Sequence, residues 1–239
     1  MTDGLVVDHV GALITVELCR EPNNEFTQEM CNSLASVLMD PPEGARVLLL
    51  RSAGGNFCTG RDGSAKGAAQ IRSMAIALAE VNVALVFSSL TVVVEVGGDV
   101  AGFGVGLAAL GDVTVVSSEA KFRFPEVEAG LAPALVLTWL PHVVGRRKAF
   151  WLTATGHSFD AYEAHRLGLV NEVVLPDALS ERSAELVEIM IATPPSARSQ
   201  IKSDLRSGNW LRLREDSYEA VDRLAIRSLV LADERLPNG

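Results

Sequence analysis

A chain of 239 residues, 48% hydrophobic and 21% charged, has enough apolar surface to offset the entropy of ordering, which excludes a disordered chain and a disulfide-stapled miniprotein. Basic residues number 21 and acidic ones 30, and the net charge of −9 has the wrong sign for a surface built to hold a phosphate backbone. Nucleic acid is therefore not expected as a partner, whereas a small anionic ligand held by a local cluster or by main-chain N–H groups remains open. The cysteines Cys19, Cys31 and Cys58 are odd in number, lack the close pairing of a zinc or redox site, and read as reduced thiols. The start, Met1-Thr2-Asp3-Gly4, has no basic segment followed by an apolar run, and Asn82, Ser88, Ser89, Glu95 and Asp99 interrupt the most apolar stretch. A cytoplasmic protein that does not engage a membrane is expected.

In chain order, Leu13 to Leu18 reads as a strand, Thr27 to Met39 as a helix with Met30, Leu34, Val37 and Leu38 on one side, and Val47 to Leu50 as a buried strand. That is a β-α-β unit, and four consecutive apolar residues suit a parallel strand covered on both faces. Ser64 to Ser89 is a long Ala-rich helix, and Thr91 to Val96 is β-branched enough for a second covered strand. A helix over Gly102 to Leu110, a strand over Val113 to Ser117 and an extended piece over Lys121 to Phe124 follow. Helices are expected at Arg146 to Thr153, Asp160 to Leu167, Leu179 to Ala192 and Arg212 to Asp233. Strands thus concentrate before about residue 125 and helices after about residue 130. Thr193-Pro194-Pro195-Ser196 reads as a joint, and Leu236-Pro237-Asn238-Gly239 as a frayed end.

Three segments carry candidate chemistry. Gly54 to Gly63 is a glycine-rich bend beyond a buried strand, where unpaired N–H groups meet a ligand oxygen or, equally well, nothing. Gly97 to Gly106 leads from a strand into a helix. Its Gly98, Gly102 and Gly104 do not have the spacing of a dinucleotide fingerprint, but a helix start offers free N–H groups to a negative oxygen. In the third, Phe122 to Pro133, the neighbours Phe124, Pro125, Val127, Leu131 and Pro133 give Glu126 an apolar setting that would raise its pKa toward a value useful in proton transfer. Alone, Glu126 reads equally as a solvated loop acid.

Taken together, Phe57-Cys58-Thr59-Gly60-Arg61-Asp62, then Gly98, Gly102-Phe103-Gly104, Leu107 and Asp112, then Phe124-Pro125-Glu126 and Gly130-Leu131-Ala132-Pro133 resemble the crotonase superfamily, the enoyl-CoA hydratase/isomerase family. The resemblance runs from about Leu13 to Leu175 and includes Gly156 and the stretch from Ala161 to Val174. It implies an α/β fold, a spiral of β-β-α units with a helical C-terminal region. Residues 1–192 would form the core, and 193–239 a helical part of the same functional unit that builds trimers or hexamers.

The resemblance also implies a function. Family members bind acyl-CoA thioesters and hold the thioester oxygen, as it becomes an enolate, with two main-chain N–H groups. By position these are the amides of Arg61 and Phe103, with Thr59, Gly60, Asp62, Gly102, Gly104 and Pro125 beside the substrate. One such donor is typically worth about 10²–10³ in rate. Glu126 matches a catalytic glutamate, whereas the second glutamate of hydratases corresponds here to Gly106. Moving a double bond from C3 to C2 needs one base and hydration normally two acids, so isomerisation is favoured over 2-enoyl-CoA hydration. Other reactions on the same oxyanion hole, such as decarboxylation or C–C hydrolysis, and a CoA-binding protein without catalysis are the alternatives. No metal, nicotinamide or flavin is implied, since CoA arrives with the substrate. Lys66, Lys202 and Arg206 are candidates for the CoA phosphates, and Arg20 to Glu25 departs from the family's usual stretch by a displaced proline.

Overall fold

The computed structural model describes residues 4–234, with side chains to Arg227 except that of Asn209, so the expected frayed end at 236–239 lies outside the described residues. The sheet at its centre has six strands: β1 (Leu5–Val10), β2 (Leu13–Leu18), β3 (Val47–Ser52), β4 (Thr91–Val96), β6 (Val113–Ser117) and β9 (Glu172–Val174), in the order β1-β2-β3-β4-β6-β9. Only the β1–β2 pair is antiparallel; the remaining pairs are parallel. A second sheet joins β5 (Val100–Ala101), β7 (Lys121–Arg123) and β8 (Phe159–Asp160). The helices α4 (Leu140–Val144), α5 (Arg146–Thr155) and α6 (Ala161–Arg166) lie between β7 and β9 in the chain.

Successive strand residues point to opposite faces, and the apolar runs of β3 and β4 serve both. Leu48, Leu50, Val92 and Val94 join the main core, whereas Val47, Leu49 and Val93 pack with Leu179, Leu186 and Val187 of α7 (Leu179–Ala192) on the other face. Glu95, at the end of that buried strand, accepts a hydrogen bond from the Ser183 hydroxyl of α7. On the main-core side, α1 (Gln28–Met39) buries Met30, Cys31, Leu34 and Leu38, and Thr27 caps it by accepting the Met30 N–H at 3.2 Å. The 21-residue α2 (Gly67–Phe87) is long and apolar enough to cross a membrane by composition, and here it packs on α1 and on α9 (Leu213–Glu234).

The expected division between early strands and late helices is corrected by β8 and β9. Both are two- or three-residue additions that complete a sheet edge and are too short to have a periodic signature. The tandem prolines do more than stop α7. Pro195 is the first residue of α8 (Pro195–Leu205), where its missing N–H costs nothing. From α8 and its end, at four-residue spacing, Arg198 donates to Thr91 Oγ1 (2.7 Å), Lys202 to the Leu90 carbonyl (2.8 Å) and Asp112 (2.6 Å), and Arg206 to the Ser88 carbonyl (2.6 Å). Lys202 and Arg206, the candidates for CoA phosphates, thus bind the chain entering β4 and β6. Lys66 is exposed just ahead of α2.

Candidate active site

Two loops are knitted together beyond the ends of β3 and β4. The Phe57 N–H donates to the Asp99 carbonyl at 3.0 Å and the Ala101 N–H to the Cys58 carbonyl at 2.9 Å, so residues 57–61 and 99–103 leave this bridge side by side. Phe26 grips the first loop by donating to the Gly60 carbonyl and accepting from the Asp62 N–H (3.0 and 2.8 Å). In such parallel pairing the intervening residue turns its own N–H away from its partner. Phe103 is the first residue of α3 (Phe103–Ala109), where no intrahelical acceptor exists for its N–H. Among the described residues, neither the Arg61 nor the Phe103 amide donates a main-chain hydrogen bond.

Close approach makes this knot possible. A Cβ at Gly104 would lie 2.1 Å from the Cys58 carbonyl oxygen, and Gly102, with φ +53°, adopts a left-handed conformation just before α3. Gly106 differs. A Cβ there would meet Asn82 Oδ1 at 3.4 Å and the Trp139 ring at 3.6 Å, which are ordinary contacts, so packing alone does not demand glycine.

Thr59, Gly60, Arg61, Gly102, Phe103, Pro125 and Glu126 border one cavity of about 320 Å³, whose wall is completed by Gly106, Leu78, Asn82, Leu135, Val136, Trp139 and Leu224. Glu126 sits on a short 3₁₀ turn, Pro125–Ala129, fastened by the Leu131 N–H donating to the Glu126 carbonyl at 3.0 Å. Its Oε2 is buried without a hydrogen-bond partner among the described residues. Burial pushes its pKa above the ordinary glutamate value, opposed by its own main-chain N–H and the charges of Arg123 and Arg61. Glu128, two residues on, is exposed and paired with Arg123 at 2.7 Å. Among the described residues Glu126 is the single carboxylate in the cavity wall. Larger hollows lack this combination: one of about 570 Å³ contains Asp112, already paired with Lys202, and one of about 760 Å³ has no acidic side chain.

Residues 9–224 match the sequence model of the enoyl-CoA hydratase/isomerase family. The 1,2-epoxyphenylacetyl-CoA isomerase of Escherichia coli K12 is 31% identical over 93% of this chain and 90% of its own length. The chain belongs to the enoyl-CoA hydratase/isomerase family. It is an enzyme of the crotonase superfamily. A short-chain-enoyl-CoA hydratase of Clostridioides difficile is 37% identical over 51% of this chain and 78% of its own. The fold is shared with a crystal structure of an enoyl-CoA hydratase from Mycobacterium avium subsp. paratuberculosis (TM-score 0.85, 21% identity, 93% of this chain and 92% of that one).

Within this crotonase fold, two expected substrate contacts lie outside the cavity wall. Asp62 accepts from the Ser64 N–H at 2.7 Å and from Arg20 at 2.6 Å; hydrogen bonds from Ser64 first, and then Arg20, hold its carboxyl below the usual carboxylate range. Arg20 also donates to the Glu25 carbonyl, and buried Asn24 donates to the Asn56 carbonyl, so the atypical 20–25 stretch braces the first loop. Gly104 supports the loops by close approach to Cys58. The cavity residues that the sequence reading did not find are apolar or neutral and come from distant elements: Leu78 and Asn82 from α2, Leu135, Val136 and Trp139, and Leu224 from α9. Asn82 alone had a signal, as a polar residue in the apolar second half of α2.

Proposed function

We propose that the protein moves the double bond of a 3-enoyl-CoA thioester to the 2 position. Ionised Glu126 takes a proton from C2. The C3=C4 π electrons are conjugated with the carbanion that forms, and the charge collects on the thioester oxygen. The Arg61 and Phe103 N–H groups receive that oxygen, each donor being worth about 10²–10³ in rate. Glu126, now protonated, returns the proton to C4 as the C2=C3 bond forms, so no water is consumed and no resident cofactor is required. A pKa raised by burial suits a group that must act first as base and then as acid.

The observation that carries this reading is the single carboxylate: Glu126 faces a wall with glycine at position 106, and no second acid is available among the described residues to activate water. Screening 3-enoyl-CoA and 2-enoyl-CoA thioesters by absorbance and mass spectrometry tests it. Isomerisation of the former without gain of one water by the latter is expected; rapid hydration of 2-enoyl-CoA with 3-enoyl-CoA untouched overturns it. The pH profile gives a further prediction. Activity needs the ionised carboxylate, so kcat/KM should rise with pH through a limb displaced above the ordinary glutamate value of about 4.3. A limb at or below that value contradicts the role of the buried carboxyl.

A further inference from the structure

Asn82 and Trp139 are 2% and 0% exposed, and both border the cavity that contains Glu126. Among the described residues, Asn82 Oδ1 and Trp139 Nε1 have no hydrogen-bond partner. A methyl group added at Gly106 would meet Asn82 Oδ1 at 3.4 Å and the Trp139 ring at 3.6 Å, so the amide oxygen and the indole ring both border the space that this glycine leaves open. Leu78, Leu135 and Val136 make the adjoining wall apolar. A buried acceptor and a buried donor left unpaired in one apolar cavity both lower stability, and native proteins rarely keep such groups without a use.

We infer that Asn82 and Trp139 form a polar subsite of the acyl pocket that takes a hydroxyl group on the acyl chain. A hydroxyl matches the pair as no carbonyl or methylene does, because it donates to Asn82 Oδ1 and accepts from the Trp139 Nε1–H. The substrate class is then a hydroxyacyl-CoA thioester. The inference rests on the cavity being an acyl-CoA site, and it is independent of the reaction carried out there. A bound water has the same O–H chemistry, and the experiment separates the two sources.

The test is calorimetric and uses saturated thioesters that cannot turn over: hexanoyl-CoA against hexanoyl-CoA bearing a hydroxyl at C5 or C6, with wild type, Asn82→Leu and Trp139→Phe. Wild type is expected to bind one hydroxylated thioester about tenfold more tightly than hexanoyl-CoA, the scale of one buried group gaining its partner. Both variants should lose this preference and bind plain and hydroxylated thioesters alike. Asn82→Leu should also melt at an equal or higher temperature, so it carries the test if Trp139→Phe does not fold. Equal affinity of wild type for plain and hydroxylated thioesters, as expected if water fills the subsite, overturns the inference, and so does a preference that survives in Asn82→Leu. If wild type binds hexanoyl-CoA but shows no preference, the acyl-CoA reading stands and the subsite falls; if it binds none of the thioesters, both fall.

Discussion

Glu126→Gln is expected to lower kcat for 3-enoyl-CoA by about 10²–10⁴, the usual range for a lost general acid–base, while thioester binding is retained. The amide keeps the shape of the carboxyl but can neither take the C2 proton nor return it. Stability should move the other way. Burial raises the folded-state pKa of Glu126, so its contribution to stability is full below the unfolded-state value and is lost as pH rises through the folded-state value. Above that folded-state value the wild type keeps a charge in an apolar wall that the glutamine variant lacks, and there the variant should melt at an equal or higher temperature. Steady-state kinetics, calorimetric binding and thermal melts at neutral and acidic pH check this. Full activity would remove Glu126 from the mechanism, and a variant that no longer folds would return it to a structural role.

Gly104→Ala should fail for a different reason. Its Cβ would stand 2.1 Å from the Cys58 carbonyl oxygen and 2.9 Å from the carbonyl carbon, both of them main chain. The loops would have to part, disturbing the 2.9 Å bond from the Ala101 N–H to Cys58 that sets the two loops side by side. The expected costs are about 1–3 kcal/mol of stability from overpacking and, if one amide no longer reaches the thioester oxygen, about 10²–10³ in kcat/KM. Gly106→Ala is the control for stability, since its Cβ meets neighbours at 3.4 Å or more and should leave the melting temperature near that of wild type. Equal melting of the two alanine variants would contradict the close-approach explanation.

The elements with a clear periodic or β-branched pattern were legible in the sequence. The strands Leu13–Leu18, Thr91–Val96 and Val113–Ser117 and the helix Leu179–Ala192 fall where they were expected, because each has a buried face or two to fill. β1 was missed. Val6, Val7 and Val10 lie exposed along it, so it lacks the regular alternation of a half-buried strand and is held by its pairing with β2. β9 is three half-buried residues whose place is set by β6. The site divides in the same way. Glycine-rich loops and Glu126 are local signals, whereas Trp139, Leu224 and Asn82 meet only because separate helices and turns converge. Asp62 is tied in the structure to Arg20, which lies 42 residues earlier, a contact that no local motif announces.

In the proposed reaction one carboxylate carries one proton between C2 and C4 beneath an enolate held by two main-chain amides, and every other step depends on that transfer. Brief turnover of 3-enoyl-CoA deuterated at C2, in ordinary water, with the product read by deuterium NMR, probes it without intermediaries. Deuterium at C4 of the 2-enoyl product is the expected result, since the carboxylate that removes the label is the one that returns it. A product whose C4 hydrogen comes wholly from solvent would mean that separate groups remove and return the proton, and would contradict the single-carboxylate mechanism.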